Sequence, residues 1–232
     1  MHLIPSLGRL RQLYPECPIG FLSLRPFGEI IPADLKIERL ELPGKASFGE
    51  TLRLVRKIRS RKYHTLLDFF VNPRTAMISL LSGIPRRCAF DHPGRRYAYH
   101  ELFRPSDPNR HLSELFGEFL DHFGFARLPL EKPRLNLLGS GERFADTFLS
   151  GQSFRRPLLG LNTHATYPAK AWPAENFTHL ANLWHAQTRG SVLFFHGPGE
   201  EEATKKLLTS LGAEFTFTHP PLRLTEFLSL LR

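Results

Sequence analysis

The feature that most constrains the fold is the alternation of short apolar runs with amphipathic segments in the second half of the chain. Apolar runs at residues 158–161, 191–195 and 214–217 read as strands, and helical patterns follow them at 174–187, 200–211 and 222–232. A βαβαβα order of this kind is typical of a parallel sheet wrapped by helices. The pattern therefore predicts an α/β fold for this half.

The first half of the chain is also of mixed α/β type. Helices are predicted at 4–14, 73–81 and 110–123, with strands at 17–22, 63–71 and 87–90 and a loop over 91–109. Residues 128–156 carry proline, glycine and one short helical pattern at 142–149, which is typical of an interdomain connection. We therefore expect one domain at 1–127, a linker at 128–156 and a second domain at 157–232.

One further helix of the first half has a recognisable start. Ser47 and Glu50 have the spacing of a capping box, in which each side chain satisfies a main-chain N–H of the other residue. The pattern that follows predicts that Phe48, Leu52, Val55 and Ile58 face inward, with a cluster of arginines outward.

The composition excludes several classes of protein. With 41% hydrophobic and 23% charged residues, the chain is typical of a globular protein, and no run is long enough to span a bilayer, so the default location is the cytosol. Two cysteines are too few for a disulfide framework or a zinc site, and the histidines lack the spacing of a metal site or a catalytic triad. The glycine motifs of phosphoryl-transfer and nicotinamide enzymes are absent from the sequence.

The net charge of +9 indicates an affinity for anions. Basic residues cluster at 53–62, 86–87, 95–96 and 155–156. Such clusters attract nucleic acid, anionic lipid or phosphorylated glycolipid, and they also serve solubility alone. Charge by itself does not choose among these alternatives.

The loop after the strand at 158–161 is the first candidate site. It holds Thr163, His164, Thr166 and Lys170, and a helix follows it. In open α/β sheets, ligands bind beyond the carboxyl ends of the strands, and a lysine among hydroxyls suits a phosphate-bearing ligand. A solvated Lys170 beside a tryptophan that packs the helix start explains the same residues without a ligand.

The segment HGPGEEE at 196–202 is the second candidate, because it also follows a strand and begins a helix. Glutamates in the first turn of a helix are explained by the helix dipole. A carboxylate at this edge can also accept hydrogen bonds from a ribose diol, and Glu200 is the best placed of the three. Asp68, within the strand at 63–71, is assigned a structural role.

Taken together, THATYPAKAWPAENFTHLANL and the later HGPGEEEA resemble glycosyltransferase family 9, the ADP-heptose:lipopolysaccharide heptosyltransferases. The residues that fall on the family pattern are Lys170, Trp172, Pro173, Gly197, Pro198, Glu200 and Glu201. The His164-Ala165-Thr166 form of the loop is similar to the heptosyltransferase I branch. In the first half, LLDFFVNPRTAMISLLSGIPRRCAF resembles the strand–helix–strand segment of the family.

The resemblance implies a GT-B fold, with two Rossmann-like domains facing a cleft. It implies that the second domain binds a nucleotide-sugar, ADP-heptose or a related donor, through Thr163, His164, Thr166, Lys170 and Glu200. Lys170 would meet the diphosphate and Glu200 the ribose side. The acceptor would be an anionic glycolipid of the lipopolysaccharide core, bound by the first domain at the cytoplasmic face of the inner membrane. Transfer would be inverting and independent of any metal or cofactor, and no nucleic-acid partner is implied.

Two elements of the family pattern have no counterpart in these 232 residues. One is a first strand with a Gly-Asp loop whose aspartate is the expected base, and the other is an Asp-Ser/Thr-Gly-Pro-x-His segment that binds the donor. We therefore expect both domains to be incomplete, and we assign no catalytic base. The main alternative is a non-catalytic or degenerate α/β binding domain of the same fold, and a basic nucleic-acid-binding protein is a third hypothesis.

Overall fold

The computed structural model describes residues 1–129, 131–135, 140–165 and 167–231, with only the main chain at positions 140 and 168. The chain forms two compact units, Met1–Asn136 and Leu137–Arg232. Both units are α/β, and their strands pair in parallel. Within the described residues, no helix has the length and apolar character needed to cross a membrane.

The first unit consists of short parallel strands and the helices that cover them. Its elements in chain order are α1 (Ile4–Leu13), β1 (Gly20–Leu24), β2 (Glu38–Leu42), α2 (Phe48–Ser60), β3 (Thr65–Asp68), α3 (Pro73–Ser82), β4 (Arg86–Phe90), β5 (Glu101–Phe103) and α4 (Leu112–His122). Strand β1 pairs with β2, and β3, β4 and β5 form a second sheet in that order. The segment predicted as a loop at 91–109 instead contains a 3₁₀ turn, Pro93–Ala98, and strand β5.

Helix α2 begins at the predicted capping box. The Ser47 hydroxyl accepts the main-chain N–H of Glu50 at 3.2 Å, and the Glu50 carboxylate accepts the main-chain N–H of Ser47 at 2.7 Å. The prediction that Phe48 faces inward is wrong, because its side chain is 73% exposed. Phe48 lies in the first turn, whereas the hydrophobic cluster contacts the helix further along, through Leu54, Val55 and Ile58.

Strand β3 is shorter than the predicted 63–71 because Asp68 turns the chain. One oxygen of the Asp68 carboxylate accepts the main-chain N–H groups of Phe70 and Val71, each at 2.9 Å. The other oxygen accepts the hydroxyl of Tyr99 at 2.6 Å. Both oxygens are thus used inside the fold, which confirms the structural role of Asp68.

A buried arginine joins the two ends of the first unit. Arg9 of α1 is 3% exposed, and its guanidinium donates to the main-chain oxygens of Gly117, Phe125 and Ala126. It also forms an ion pair of 2.5 Å with Asp121 of α4. The last turn of α4 and the residues after it are therefore held by a side chain of the N-terminal helix.

The second unit contains the predicted βαβαβα pattern. Its elements are α5 (Ser140–Ser150), β6 (Leu158–Asn162), α6 (Ala174–Thr188), β7 (Ser191–Phe195), α7 (Glu201–Leu208), β8 (Thr216–Thr218) and α8 (Leu224–Leu230). The strands pair in the order β6-β7-β8, and every residue of β7 is buried. Helix α5 lies in the stretch predicted as a linker and packs against α8, where Gly141 permits close approach to Thr225 and Ser229.

The strand order of the second unit determines where a ligand can bind. Strand β6 lies parallel to β7 from the Leu158–Ser191 pair to the Asn162–Phe195 pair, and β7 lies parallel to β8. The carboxyl ends of all three strands therefore meet at one edge of the sheet. The loops that follow them carry both segments singled out in the sequence.

Candidate functional site

Three histidine-bearing loops meet at the carboxyl edge of the second sheet. Strand β6 is followed by Thr163 and His164, β7 by His196 and β8 by His219. In open parallel sheets this edge is the usual ligand position, because the loops there can vary while the strands hold them in place. The edge is therefore the candidate functional site.

The structure brings together three of the residues named from the sequence. The hydroxyl oxygen of Thr163 lies 3.0 Å from Nδ1 of His164. The same Nδ1 lies 3.6 Å from Oε2 of Glu200, which belongs to the next loop. Thr163, His164 and Glu200 thus link the loop after β6 to the loop after β7, although they are 37 residues apart in sequence, counting from 163 to 200.

Glu200 has a fixed orientation because it closes its own turn. Its Oε2 accepts the main-chain N–H of Gly197 at 2.6 Å. Gly199 has a φ of 85°, in the left-handed region that favours glycine. Glu200 also begins α7, since its main-chain oxygen accepts the N–H of Thr204 at 3.0 Å. Within the described residues, the second carboxylate oxygen, Oε1, forms no hydrogen bond, and it is available to a ligand.

Glu201 is the first residue of α7. Main-chain N–H groups, its own first and then that of Gly199, lower the pKa of Glu201. These N–H groups are among those that no helical carbonyl can satisfy at a helix N-terminus. In the turn from Gly197 to Glu201, two carboxylates therefore accept main-chain N–H groups.

Lys170 lies in the same loop as His164 but outside the Thr163–His164–Glu200 network. It is the last residue of a 3₁₀ turn, Pro168–Lys170, and its side chain is exposed. Its ammonium nitrogen lies 5.5 Å from the ring centroid of Tyr167. Thr166, the remaining predicted site residue, lies outside the described residues.

An open cleft of about 510 Å³ adjoins this network. Its walls come from the loop after β6, the start of α6 and one side of α7. Trp172 lines it and packs edge-on against Phe177 with a centroid separation of 5.0 Å. Thr163 and His164 belong to both the cleft and the network, so the two are continuous.

Two histidines of this edge were not assigned a role from the sequence. His196 and His219 stack with a centroid separation of 4.2 Å and an interplanar angle of 20°. The signal that could have found them is positional, because each follows directly on a strand of the same parallel sheet, as His164 nearly does. Chemically, the edge combines hydroxyl, imidazole, carboxylate and ammonium groups, which suits a polar, phosphate-bearing ligand.

Comparison with solved structures identifies the class of fold. The chain is similar to the glycosyl transferase family 9 protein from Veillonella parvula DSM 2008, with 19% identity and a TM-score of 0.86 over 99% of this chain and 69% of that one. It is similar to E. coli ADP-heptose lps heptosyltransferase II, with 22% identity and a TM-score of 0.77 over 100% of this chain and 72% of that one. It is also similar to E. coli heptosyltransferase WaaC with ADP-2-deoxy-2-fluoro heptose, with 19% identity and a TM-score of 0.72 over 99% of this chain and 75% of that one. These proteins have the GT-B glycosyltransferase fold, and the α/β fold of this chain is the same.

The sequence assigns the chain within that class. The model of glycosyltransferase family 9 (heptosyltransferase) matches residues 51–232. The chain therefore belongs to glycosyltransferase family 9, and the resemblance found in its motifs is confirmed. A comparison with curated protein sequences gives no significant match.

Proposed function

We propose that the protein transfers heptose, or a related sugar, from an ADP-sugar to an acceptor of the lipopolysaccharide core. The observation that carries this proposal is the Thr163–His164–Glu200 network at the carboxyl edge of the second sheet. Membership of a heptosyltransferase family supports the reaction class, and a related structure was determined with an ADP-sugar analogue. Transfer is proposed to be inverting and independent of a metal.

The donor diphosphate is proposed to lie between Lys170 and the turn at Gly197. Lys170 has an exposed ammonium group that packs on a ring rather than against a carboxylate, so it can neutralise a phosphate. Thr163, His164 and Thr166 are proposed to complete the donor site.

The donor ribose is proposed to bind Glu200. Its Oε2 is held by the N–H of Gly197, which fixes the plane of the carboxylate and leaves Oε1 as an acceptor. A carboxylate is suited to two adjacent hydroxyls because it accepts hydrogen bonds and has none to donate. The contact of Glu200 with His164, which belongs to the loop that carries Lys170, supports this proposal.

The acceptor is proposed to be an anionic glycolipid held by the first unit. The outer face of α2 carries the exposed cations Arg53, Arg56 and Lys57, of which Lys57 is paired with Glu38 at 3.1 Å. Cations at a surface attract anionic lipid and phosphorylated sugars. A cytoplasmic location with peripheral contact to the inner membrane follows as part of the proposal.

The chemical step is proposed as attack of an acceptor hydroxyl on the anomeric carbon of the donor. The bond that forms is the new glycosidic bond, and the bond that breaks is the one to the departing diphosphate. Negative charge grows on that diphosphate, and Lys170 is proposed to stabilise it. The proton of the acceptor hydroxyl passes to a general base, and we assign that role to no residue of this chain.

Replacement of Lys170 tests the donor site. We expect Lys170→Ala to weaken ADP binding by about 10- to 100-fold, because a charge-assisted contact to phosphate contributes about 1.5–3 kcal/mol. Isothermal titration calorimetry with ADP gives the affinity. The matched control is Lys205→Ala, since Lys205 is exposed in the same unit and is paired with Glu202. Equal ADP affinity of Lys170→Ala and the unmodified chain would show that the site is wrongly assigned.

A transfer assay separates turnover from binding alone. ADP-heptose is supplied with a deep-rough lipopolysaccharide acceptor, and the glycolipid product is measured by mass spectrometry. Product formation excludes the alternative of a non-catalytic binding domain with the same fold. ADP binding without product would favour that alternative.

A further inference from the structure

Three short contacts orient the histidines after β7 and β8, and two of these contacts join the pair. The main-chain N–H of His196 donates to Nε2 of His219 at 3.2 Å. Nδ1 of His219 lies 2.7 Å from the main-chain oxygen of Pro220. Nε2 of His196 lies 3.0 Å from the main-chain oxygen of His219. The two loops are therefore tied through ring nitrogens and main-chain groups alike.

These contacts determine which ring nitrogen carries hydrogen. A carbonyl oxygen can only accept, so Nδ1 of His219 and Nε2 of His196 must each be the donor. The remaining nitrogen of His219, Nε2, then accepts from the main chain. His219 is thus neutral, with its hydrogen on Nδ1. If Nε2 of His219 is protonated, its N–H faces the main-chain N–H of His196. Two donors cannot share a hydrogen bond, so the contact to His196 would be lost.

The residue held by His219 is the first of the candidate donor turn. The main-chain N–H of the following residue, Gly197, is bound by Glu200, and Glu200 in turn contacts His164. One chain of contacts therefore runs from the loop after β8, through the turn after β7, to the loop after β6. His219 lies at its far end and need not touch a ligand to affect the others.

We infer that His219 is a positioning residue for the candidate donor site: its neutral ring holds the turn at 196–200, and protonation of that ring releases the turn. The inference rests on the proposed function, since it concerns the effect of pH on the same site. It predicts that donor binding weakens as the pH falls.

The surroundings of His219 disfavour protonation of its ring. The ring is 4% exposed, and burial lowers its pKa from the ordinary value of 6.5, with the neighbouring His196 lowering it further. The groups that face it are the His196 imidazole, the Phe195 ring of β7 at 5.5 Å and the Pro220 oxygen. Beyond His196, the carboxylate of Glu201 on α7 interacts with that imidazole. A depressed pKa means that the neutral form is complete above about pH 6.5 and is lost only in acid.

Nuclear magnetic resonance of the ¹⁵N-labelled chain tests the hydrogen bond between His196 and His219 without any ligand. Long-range proton–nitrogen spectra should show His219 with its hydrogen on Nδ1 at about pH 7.5. As the pH is lowered, the amide resonance of His196 should shift with the same midpoint as the His219 ring, and its hydrogen exchange should accelerate. A hydrogen on Nε2 instead, or a His196 amide that is indifferent to the titration of His219, would overturn the inference.

Calorimetry with ADP tests the consequence for the site. The measured quantity is the ratio of ADP affinities at about pH 7.5 and about pH 5.5. ADP itself titrates in this range, so this ratio is compared between proteins. We expect the unmodified chain to lose about twofold or more affinity relative to His219→Gln, whose side chain accepts a hydrogen bond but does not titrate. The loss should stay below about tenfold, which is the largest that a histidine with the ordinary pKa of 6.5 allows at about pH 5.5. The control is His179→Gln, at an exposed position of α6, which should keep the ratio of the unmodified chain.

The outcomes separate this inference from the proposed function. Equal ratios for the unmodified chain and His219→Gln, with ADP bound by both, would contradict the inference but not the proposed function. Absence of ADP binding at either pH would contradict the proposed function, and with it the predicted effect of His219 on donor binding. The magnetic resonance titration of the unmodified chain still decides whether His219 holds the turn.

Discussion

Arg9 shows how one buried side chain can hold a unit together. Its guanidinium uses its donors on main-chain oxygens and on Asp121. A buried cation is tolerated only when every such donor is satisfied, because desolvation of an unpaired charge costs several kcal/mol. Its partners include the oxygens of Phe125 and Ala126, beyond the end of α4, so removal of the guanidinium also leaves main-chain acceptors without donors.

We therefore expect Arg9→Ala to lower the free energy of unfolding by about 3 kcal/mol. Urea denaturation followed by far-ultraviolet circular dichroism measures the change. The control is Arg127→Ala, because Arg127 is 86% exposed and pairs with the same Asp121 at 3.2 Å. A surface pair of this kind contributes about 0.5 kcal/mol. Similar losses in the two variants would contradict the role given to Arg9.

Single residues were the hardest to predict from the sequence. Lys170 and Glu200 could be named because a loop after a strand is a site in any parallel sheet. Nothing local to His219 predicts its role, since the N–H that it accepts comes from a residue 23 positions earlier. The same holds for Arg9, whose partners lie more than a hundred positions away. Contacts of this length depend on the tertiary fold, which periodicity does not contain.

At the scale of elements, periodicity predicted most of what formed. The strand at 191–195 was predicted with the bounds that it has, because five consecutive buried residues leave little choice. Strand β5 was missed because it has three residues and follows a segment of arginine and tyrosine without a strand pattern. In strand β2 the charged Arg39 and Glu41 alternate with buried Leu40 and Leu42, so the period-two signal was present but short.

The capping box of α2 gives a prediction at this scale. We expect Ser47→Ala to lower the free energy of unfolding by about 1 kcal/mol, since it removes the acceptor of the Glu50 N–H. Chemical denaturation of the two proteins measures it. Ser60→Ala is the matched control, because Ser60 lies at the other end of the helix and its hydroxyl bonds only to the Lys57 main-chain oxygen. A loss for Ser60→Ala as large as that for Ser47→Ala would rule out the cap as the cause.

At the scale of the whole molecule, the two units carry different titratable groups. In the first unit, hydrogen bonding to Arg61 lowers the pKa of Glu38 to about 2, and Arg96 lowers that of Asp91 to about 2. Depressed carboxylates contribute stability that is present above their ordinary values of 4.5 and 3.8 and is lost as the pH falls toward 2. In the second unit, the lowered pKa of His219 means that stability is lost as the pH falls below 6.5.

Acid should therefore weaken the second unit first. Both tryptophans, Trp172 and Trp184, lie in that unit, so their emission reports on it alone. We expect the urea midpoint of tryptophan emission to fall between about pH 7 and about pH 5.5. For peptides from residues 38–60, the urea concentration at which protection from hydrogen exchange is lost should be equal at about pH 7 and about pH 5.5. It should fall only below about pH 4.5. An earlier loss in those peptides would show that the assignment of acid sensitivity is wrong.

The fold class of the whole molecule was predictable because it depends on patterns that repeat. Each strand and helix of the second unit supplies the same evidence, so errors in single bounds do not change the topology. The candidate site was predictable only as an edge and a set of residue types. The fixed orientation of Glu200 depends on the Gly197 N–H, and the link from His164 to Glu200 depends on loops meeting in space.

The buried arginine also sets an order of events during synthesis. Its furthest main-chain partner, Ala126, lies 117 residues after Arg9. Ribosomes add about 5–20 residues per second, so roughly 6–23 s separate the appearance of the two. A helix of 10 residues, such as α1, is marginal by itself in water. The guanidinium of Arg9 must therefore remain hydrated until residues 117–126 have been synthesised, whereas Leu7 of the same helix can pack on Ile31 and Leu35 much earlier.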